Sequence, residues 1–161
     1  MDHAATTEWA GAVTALPGVT DTDLDIMART IWAEARGEPY AGRVAVAWVI
    51  RNRVEDARWP NTVHGVCLQK WQFECWNGET VGAQHQDKNY FAMKNATLAT
   101  PGFLSAIGVA AGVLAGDLSP VLSGDAVRGA NHHYNPAVSD PSWARGVTPV
   151  ATIGKHVFLW L

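Results

Sequence analysis

The sequence predicts a mainly α-helical fold of the α+β class, with a small β element, in a single domain. Two segments with helical spacing of apolar residues follow each other between residues 22 and 54, and a third lies at residues 102–115. A short apolar run at residues 156–161 is typical of a final strand. Because 48% of the 161 residues are hydrophobic, the chain is long and apolar enough to bury one core.

The first helix is predicted to begin near Thr22. Thr22 and Asp25 have the spacing of a capping box, and Gly37 and Pro39 end the helical pattern. The apolar stripe of this helix consists of Leu24, Met27, Ala28, Ile31 and Ala35. Residues 1–20 are predicted to be a flexible lead-in, so the folded domain is expected to span residues 21–161.

The second helix, at residues 41–54, is apolar in almost every direction and is therefore expected to be central and buried. The segment Trp71–Trp76 alternates in polarity, which favours a short strand or an extended loop. The remaining predicted elements are a short helix at 62–68, helices at 86–99 and 102–115, an irregular stretch at 117–127 and the final strand.

Charge and hydropathy exclude several classes of partner. The net charge of −3 provides no basic surface for nucleic acid, so we expect no nucleic-acid partner. The most apolar stretch, Phe103–Ala115, is too short to cross a bilayer, and we expect no stable membrane insertion and a monomer. Residues Met1–Thr6 lack the basic and apolar regions of a secretion signal, which predicts synthesis in the cytoplasm.

Glu34 is the strongest candidate for a catalytic residue. It follows the apolar stripe by one turn, at the edge of the buried face, and lies in the last turn of its helix. The helix dipole and partial burial both disfavour a negative charge there, so we expect a raised pKa. A carboxylic acid that keeps its proton near neutral pH is what cleavage of a glycosidic bond requires. A solvated residue at a helix end remains the alternative.

Glu38 is the nearest candidate for a second carboxyl group. Glycosidases with two carboxyl groups place them about 5–10 Å apart, on either side of the bond that breaks. The break at Gly37 and Pro39 leaves the direction of the Glu38 side chain open, and a salt bridge to Arg36 or Arg51 is the structural alternative.

Metal and thiol chemistry are weaker alternatives. His132, His133 and His156 could contribute to a metal site, but adjacent residues of a strand point to opposite faces, and the chain has no HExxH or CxxC spacing. We therefore expect no metal and no cofactor. Cys75 could act as a nucleophile with His132 or His156 as base, although it does not open a helix. Cys67 and Cys75 are predicted to be free thiols, with a disulfide across the short loop as the alternative.

Four separated motifs resemble the SleB-type cell-wall hydrolases, which include spore-cortex-lytic enzymes and related bacterial and phage proteins. The matching segments are Ala28–Glu38 with Gly42, Val44–Ala47 and Asn52-Arg53; Gln72-Phe73 with Cys75-Trp76; Gly129–Pro136; and Ile153–Phe158. They occur in the same order as in the family and cover the chain from about residue 24 to residue 158.

The resemblance implies a lysozyme-like or lytic-transglycosylase-like fold for a catalytic domain at residues 21–161. It also implies peptidoglycan glycan strands as substrate, cleaved between N-acetylmuramic acid and N-acetylglucosamine. The essential glutamate of the family corresponds to Glu34, which in a lytic transglycosylase acts first as general acid and then as base. A hydrolytic muramidase, a non-catalytic glycan-binding module and an amidase acting on the stem peptide remain alternatives.

The resemblance also implies which residues lie along a glycan groove. These predicted substrate-binding residues are Glu38, Gln72, Phe73, Trp76, His132, Tyr134 and Asn135. Their amide groups could bind N-acetyl groups, and their aromatic rings could stack on sugars, although Phe73 and Trp76 could equally fill the core. We expect a stand-alone lysin of the phage endolysin type, which acts on the bacterial cell wall.

Overall fold

A computed structural model describes residues 15–79, 88–118, 127 and 129–161. Within these ranges the chain forms five α-helices, three short strands and two 3-10 turns. The helices are α1 (Asp21–Ala35), α2 (Tyr40–Glu55), α3 (Val63–Leu68), α4 (Lys88–Lys94) and α5 (Phe103–Ala115). The strands are β1 (His132–Tyr134), β2 (Ala151–Ile153) and β3 (His156–Leu159), and the 3-10 turns are Glu74–Glu79 and Ser142–Ala144. The predicted helical fold with a small β element is confirmed.

Helix α1 is the element on which the other helices pack. It contacts α2, α3, α4 and α5, and its stripe of Met27, Ala28 and Ile31 is completely buried. Helix α2 is buried on most of its surface, as predicted, and residues 44–47 and 49–50 have no exposed area. The catalytic candidate Glu34 is thus carried by the best-supported helix of the domain.

The cap of α1 lies two residues earlier than predicted. The hydroxyl of Thr20 accepts a hydrogen bond from the Asp23 N–H at 3.2 Å, and the Asp23 carboxylate accepts one from the Thr20 N–H at 3.0 Å. Asp25 instead pairs with Arg29 on the surface. Both registers have capping-box spacing, but only Asp23 also accepts a hydrogen bond from the backbone of α3, from the His64 N–H at 2.9 Å.

The prediction of a strand or extended loop at residues 71–76 is wrong. The backbone forms a 3-10 turn from Glu74, in which the Trp76 N–H donates to the Phe73 carbonyl at 3.1 Å. Phe73 and Cys75 are buried while Gln72 and Glu74 are more exposed, so the alternation in polarity is real. It arises because the segment packs against α1, where the Trp76 indole N–H donates to the Thr30 hydroxyl at 2.8 Å.

The other elements agree with the predictions to varying degrees. Helices α3 and α5 lie where they were expected, and β3 is the predicted final strand, although it ends at Leu159. Helix α4 ends at Lys94, well before residue 99, and a turn closed by Thr97 and Thr100 precedes Pro101. Most of the predicted irregular stretch 117–127, and residues 86–87 of the predicted helix, lie outside the described residues.

The sheet is antiparallel, with β3 in the middle, and is joined to the end of α1 by Glu38. The turn between β2 and β3 brings the Lys155 N–H within 2.8 Å of the Glu38 carboxylate. Gly154 adopts a φ of +59°, and a Cβ atom at this position would overlap the same carboxylate. The buried Glu38 side chain therefore fixes the sheet against the helix that carries Glu34.

Residues 15–20 belong to the predicted lead-in, and the rest of that segment lies outside the described residues. The Leu16 N–H donates to the Leu114 carbonyl at 2.8 Å, and the Leu16 side chain packs on the core. The boundary at residue 20 stays a prediction. None of the helices in the described ranges has the length and the apolar character needed to cross a membrane.

Candidate active site

Glu34 lies at a groove of about 670 Å³. Its side chain keeps 20% of its surface exposed, as expected for a catalytic acid at the edge of a buried face. The groove is formed by the end of α1, the segment 71–74, the residue Asn89 of α4, the strand β1 and the loop that follows β1. Parts of the fold that are far apart in the sequence therefore surround one carboxyl group.

Burial and two neighbouring residues act on the pKa of Glu34. Burial is the largest influence and raises the pKa of the carboxyl group, while hydrogen bonds from the thiol and the N–H of Cys75 lower it. The negative charge of Glu74 raises it further, and the net pKa is above the ordinary value of a glutamate. The Cys75 N–H lies 3.5 Å from Oε1. The shift is in the direction that a proton donor requires.

His133 is the third group that faces Glu34, with its Nε2 3.9 Å from Oε2 of the carboxyl group. Burial, followed by the charges of His156 and Arg53, lowers the pKa of His133 to about 3. The ring is therefore neutral at pH 7, and its Nδ1 has no hydrogen-bond partner among the described residues. A cation next to Glu34 would favour its carboxylate form, so a neutral imidazole is compatible with a protonated acid.

The two adjacent histidines have different surroundings, as the alternation of a strand predicts. His132 packs between Trp59 and Trp143, with ring centroids 5.6 and 5.0 Å away. His133 packs against Phe73, His156 and Phe158 instead. Burial also lowers the pKa of His132 to about 4. Among the described residues, no three His, Cys, Asp or Glu side chains form a group that could hold a metal ion.

The structure does not support a thiol nucleophile. Cys67 and Cys75 are free and buried, which confirms the prediction of free thiols. Burial raises the pKa of Cys67 to about 12. Burial, together with the charge of Glu34, raises the pKa of Cys75 still further. A thiol that holds its proton this strongly is a poor nucleophile.

Four of the predicted substrate-binding residues line the groove with Glu34. They are Gln72, His132, Tyr134 and Asn135. Tyr134 and His132 form one aromatic cluster with Trp143, whose ring centroid lies 5.7 Å from that of Tyr134. The amide groups of Gln72 and Asn135 line the same groove as this cluster, and a role of these residues in substrate binding stays a prediction.

The other three predicted substrate-binding residues do not line the groove. Glu38 is buried because it holds the β2–β3 turn, and Arg51, one of its expected partners, pairs with Glu55. Phe73 is 1% exposed and fills the core beneath His133. Trp76 packs against the core, and its indole N–H is bound by Thr30. The second carboxylate of the groove is Glu74 instead.

Several groove residues were not predicted from the sequence, among them Trp71, Glu74, His133 and Trp143. For His133 the alternation of β1 indicated the face opposite to His132 and Tyr134, yet all three side chains line the groove. Arg53 was named only as part of a segment that matches the family. It is buried under Trp59, with its guanidinium carbon 4.1 Å from the ring centroid, and its Nε donates to the Asn131 carbonyl at 2.6 Å.

Residues 37–159 match the Cell Wall Hydrolase family. The chain belongs to this family. It is 33% identical over 141 residues to a spore cortex-lytic enzyme of Bacillus cereus and 31% identical to that of Bacillus subtilis, with 88% of this chain covered in both cases. These alignments cover 45% and 38% of the two relatives, so this chain spans less than half their length.

Two solved structures are similar to this chain. One is the catalytic domain of the germination-specific lytic transglycosylase SleB from Bacillus anthracis, at 30% identity and a TM-score of 0.58, covering 89% of this chain and 98% of that one. The other is the catalytic domain of the Bacillus cereus SleB protein, at 29% identity and a TM-score of 0.57, covering 93% and 98%. The lysozyme-like fold that the resemblance implied is confirmed.

Proposed function

We propose that this domain is a lytic transglycosylase that cleaves peptidoglycan between N-acetylmuramic acid and N-acetylglucosamine. The observation that carries the proposal is the mostly buried carboxyl group of Glu34 at the groove, where burial raises its pKa. The similarity to the SleB catalytic domain, whose title names it a lytic transglycosylase, supports the same chemistry.

Glu34 would act twice in this reaction. As a general acid it donates its proton to the glycosidic oxygen, and the bond from that oxygen to C1 of N-acetylmuramic acid breaks. As a carboxylate it then takes the proton of the C6 hydroxyl group, whose oxygen bonds to C1 and closes a 1,6-anhydro ring. The raised pKa supports the first step, and the Cys75 N–H stabilises the carboxylate formed between the steps.

Hydrolysis is the second candidate, and the position of Glu74 favours it. Glu74 lines the groove and its charge acts on Glu34, so it could activate a water molecule as the second carboxylate of a muramidase. The two reactions differ in their products, since hydrolysis leaves a reducing end where transglycosylation leaves 1,6-anhydromuramic acid.

The test is a digest of purified sacculi, with the released muropeptides analysed by mass spectrometry. We expect 1,6-anhydro products from the wild type and at least about a 100-fold loss of release for Glu34→Gln. Glu55→Gln is the matched control, because this half-exposed carboxylate pairs with Arg51 and does not line the groove, and it should release the same products. Reducing ends alone would replace the transglycosylase with a muramidase.

Two other outcomes would contradict glycosidase activity altogether. Binding to sacculi without release of soluble fragments would indicate a glycan-binding module. Release of free stem peptides with intact glycan strands would indicate an amidase. A fully active Glu34→Gln enzyme would also end the assignment, provided that circular dichroism shows the native helical content.

We propose as its biological role that of a lysin of the endolysin type, active on the cell wall. Such a lysin reaches the wall through a separately produced pore. Co-expression with a pore-forming membrane protein should therefore lyse a sensitive host, whereas expression alone should not. Rapid lysis without the pore would contradict this role while leaving the proposed chemistry intact.

A further inference from the structure

Trp71 has a strained backbone and an exposed side chain. Its φ of +67° makes it the one residue other than glycine with a positive φ in the described part of the chain. The left-handed conformation is unfavourable for a residue with a Cβ atom. Its N–H donates to the Asn77 side chain at 3.2 Å, and 72% of its surface is exposed. An exposed indole contributes little burial that could offset this strain.

Most of the indole ring is exposed, so it contributes little to the packing of the described residues. Within that part of the chain no aromatic ring packs on it, and its N–H has no acceptor. The backbone on its C-terminal side is firmly held, because Phe73 and Cys75 are buried two and four residues later. The same segment brings the Cys75 N–H to Glu34, so the position of Trp71 is coupled to that of the catalytic carboxyl group.

The surroundings of Trp71 favour a sugar over a protein partner. Trp71 lines the same groove as Glu34, and its neighbours there include the polar side chains of Gln72, Glu74 and Asn89. A protein-binding surface is usually a wider apolar patch. A pyranose ring instead presents one face of C–H groups, which packs on an indole, and hydroxyl and N-acetyl groups at its edge, which bind amides.

We propose that Trp71 is the stacking platform of a saccharide subsite that binds a pyranose ring of an N-acetylhexosamine chain beside the catalytic carboxyl group. Its assignment to peptidoglycan strands rests on the proposed function, whereas binding of the saccharide itself requires no cleavage. This role explains the strained backbone, because the positive φ of Trp71 directs its ring into the groove, where it makes few contacts with the described residues.

The test measures binding of N-acetylglucosamine hexasaccharide by titration calorimetry to the full chain carrying Glu34→Gln, which prevents turnover. Adding Trp71→Gly should weaken binding about 10-fold, because it removes the stacking face. Adding Trp71→Phe should weaken it less. Trp160→Ala is the matched control, since Trp160 is 62% exposed and does not line the groove, and it should bind like the parent.

The glycine variant also separates binding from folding. Glycine tolerates a positive φ, so Trp71→Gly should unfold at the same temperature as the parent or at a higher one. Unchanged affinity in Trp71→Gly would overturn the proposal, as would a parent that does not bind the hexasaccharide at millimolar concentration. Retained affinity with a changed oligomeric state in native mass spectrometry would indicate a protein contact instead.

The outcomes distinguish this subsite from the proposed function. If Trp71→Gly in the wild-type background releases 1,6-anhydro products with an unchanged KM, the subsite fails and the proposed function stands. If the hexasaccharide binds through Trp71 but the wild type releases nothing from sacculi, the proposed function fails and the subsite stands.

Discussion

The proton on Glu34 is controlled by groups that act in opposite directions. Burial and the charge of Glu74 raise the pKa of the carboxyl group, whereas the hydrogen bonds from Cys75 lower it. A general acid that must later act as a base benefits from this balance, because neither protonation state is fully suppressed. The neutral His133 ring adds no positive charge at pH 7, so it does not lower the pKa of Glu34.

The raised pKa of Glu34 predicts a cost in stability. Between the unfolded pKa and the higher folded pKa the native state binds more protons, so stability is present at low pH and is lost as the pH rises through that interval. Glu34→Gln removes this loss and should increase the free energy of unfolding at pH 7, as measured by urea denaturation. The difference from wild type should shrink below pH 4, and a variant less stable than wild type at pH 7 would contradict the argument.

The role of Glu74 can be tested by neutralising its charge. Glu74→Gln should lower the pKa of Glu34, so the basic limb of the kcat/KM profile should move to lower pH while activity below that limb is preserved. The profile is obtained from the rate of sacculus clearing. Loss of activity at every pH would instead identify Glu74 as a second catalytic carboxylate, as hydrolysis requires.

At the scale of the elements, the β2–β3 turn and the end of α1 form one structural unit. The Glu38 carboxylate accepts the Lys155 N–H, and Gly154 leaves the space that the carboxylate occupies. The sheet in turn carries His133, which lies against Glu34. The carboxylate that the sequence suggested as a second catalytic group therefore contributes to the site by holding the sheet on the helix.

The contact between Glu38 and the β2–β3 turn predicts different losses of stability for alanine at Gly154 and at Gly146, two glycines that both have a positive φ. Gly154→Ala places a methyl group against Glu38 and Pro39, whereas Gly146, with φ +76°, has open space where the Cβ would be. Both changes introduce the strain of a positive φ, but Gly154→Ala should cost about 1–3 kcal/mol more because of the overlap. Urea denaturation of the two variants measures the difference, and equal losses would contradict the contact.

At the scale of the whole molecule, packing brings three histidines with a lowered pKa to one groove. His132 and His133 lie on β1, and His156 begins β3, which pairs with β1. Burial is the leading cause of the lowered pKa of all three. Arg53 of α2 adds a positive charge that lowers the pKa of His132 and His133.

These histidines predict a loss of stability in mild acid. Below pH 6.5 the unfolded chain binds protons that folded His132 and His133 take up only near pH 4 and pH 3. The unfolding free energy should therefore fall with decreasing pH, by up to about 1.4 kcal/mol per pH unit for the buried His133 and by less for the half-buried His132, which solvent screens. His133→Phe should reduce this slope between pH 6 and pH 4. Measurements in the Glu34→Gln background avoid the opposing titration of the carboxyl group, and an unchanged slope would contradict a neutral buried ring.

The local pattern of the sequence predicted most of the helices and the place of Glu34 at the edge of a buried face. The spacing of Met27, Ala28 and Ile31 defines the buried face of α1, and the position of Glu34 relative to that face follows from helix geometry alone. The alternation of a strand likewise separates His132 from His133. These features could be predicted because each depends on residues a few positions apart.

Tertiary structure decided the features that depend on contacts between distant residues. The His64 N–H bonds Asp23, which makes Asp23 the capping residue of α1. The hydrogen bond from Trp76 to Thr30 holds the 3-10 turn against α1. The Lys155 N–H binds the Glu38 carboxylate. Each of these bonds joins residues more than 40 positions apart, and no local spacing encodes such a contact. For the same reason the sequence alone predicted that Glu34 lies at the edge of a buried face, whereas only the fold determined which other side chains face Glu34.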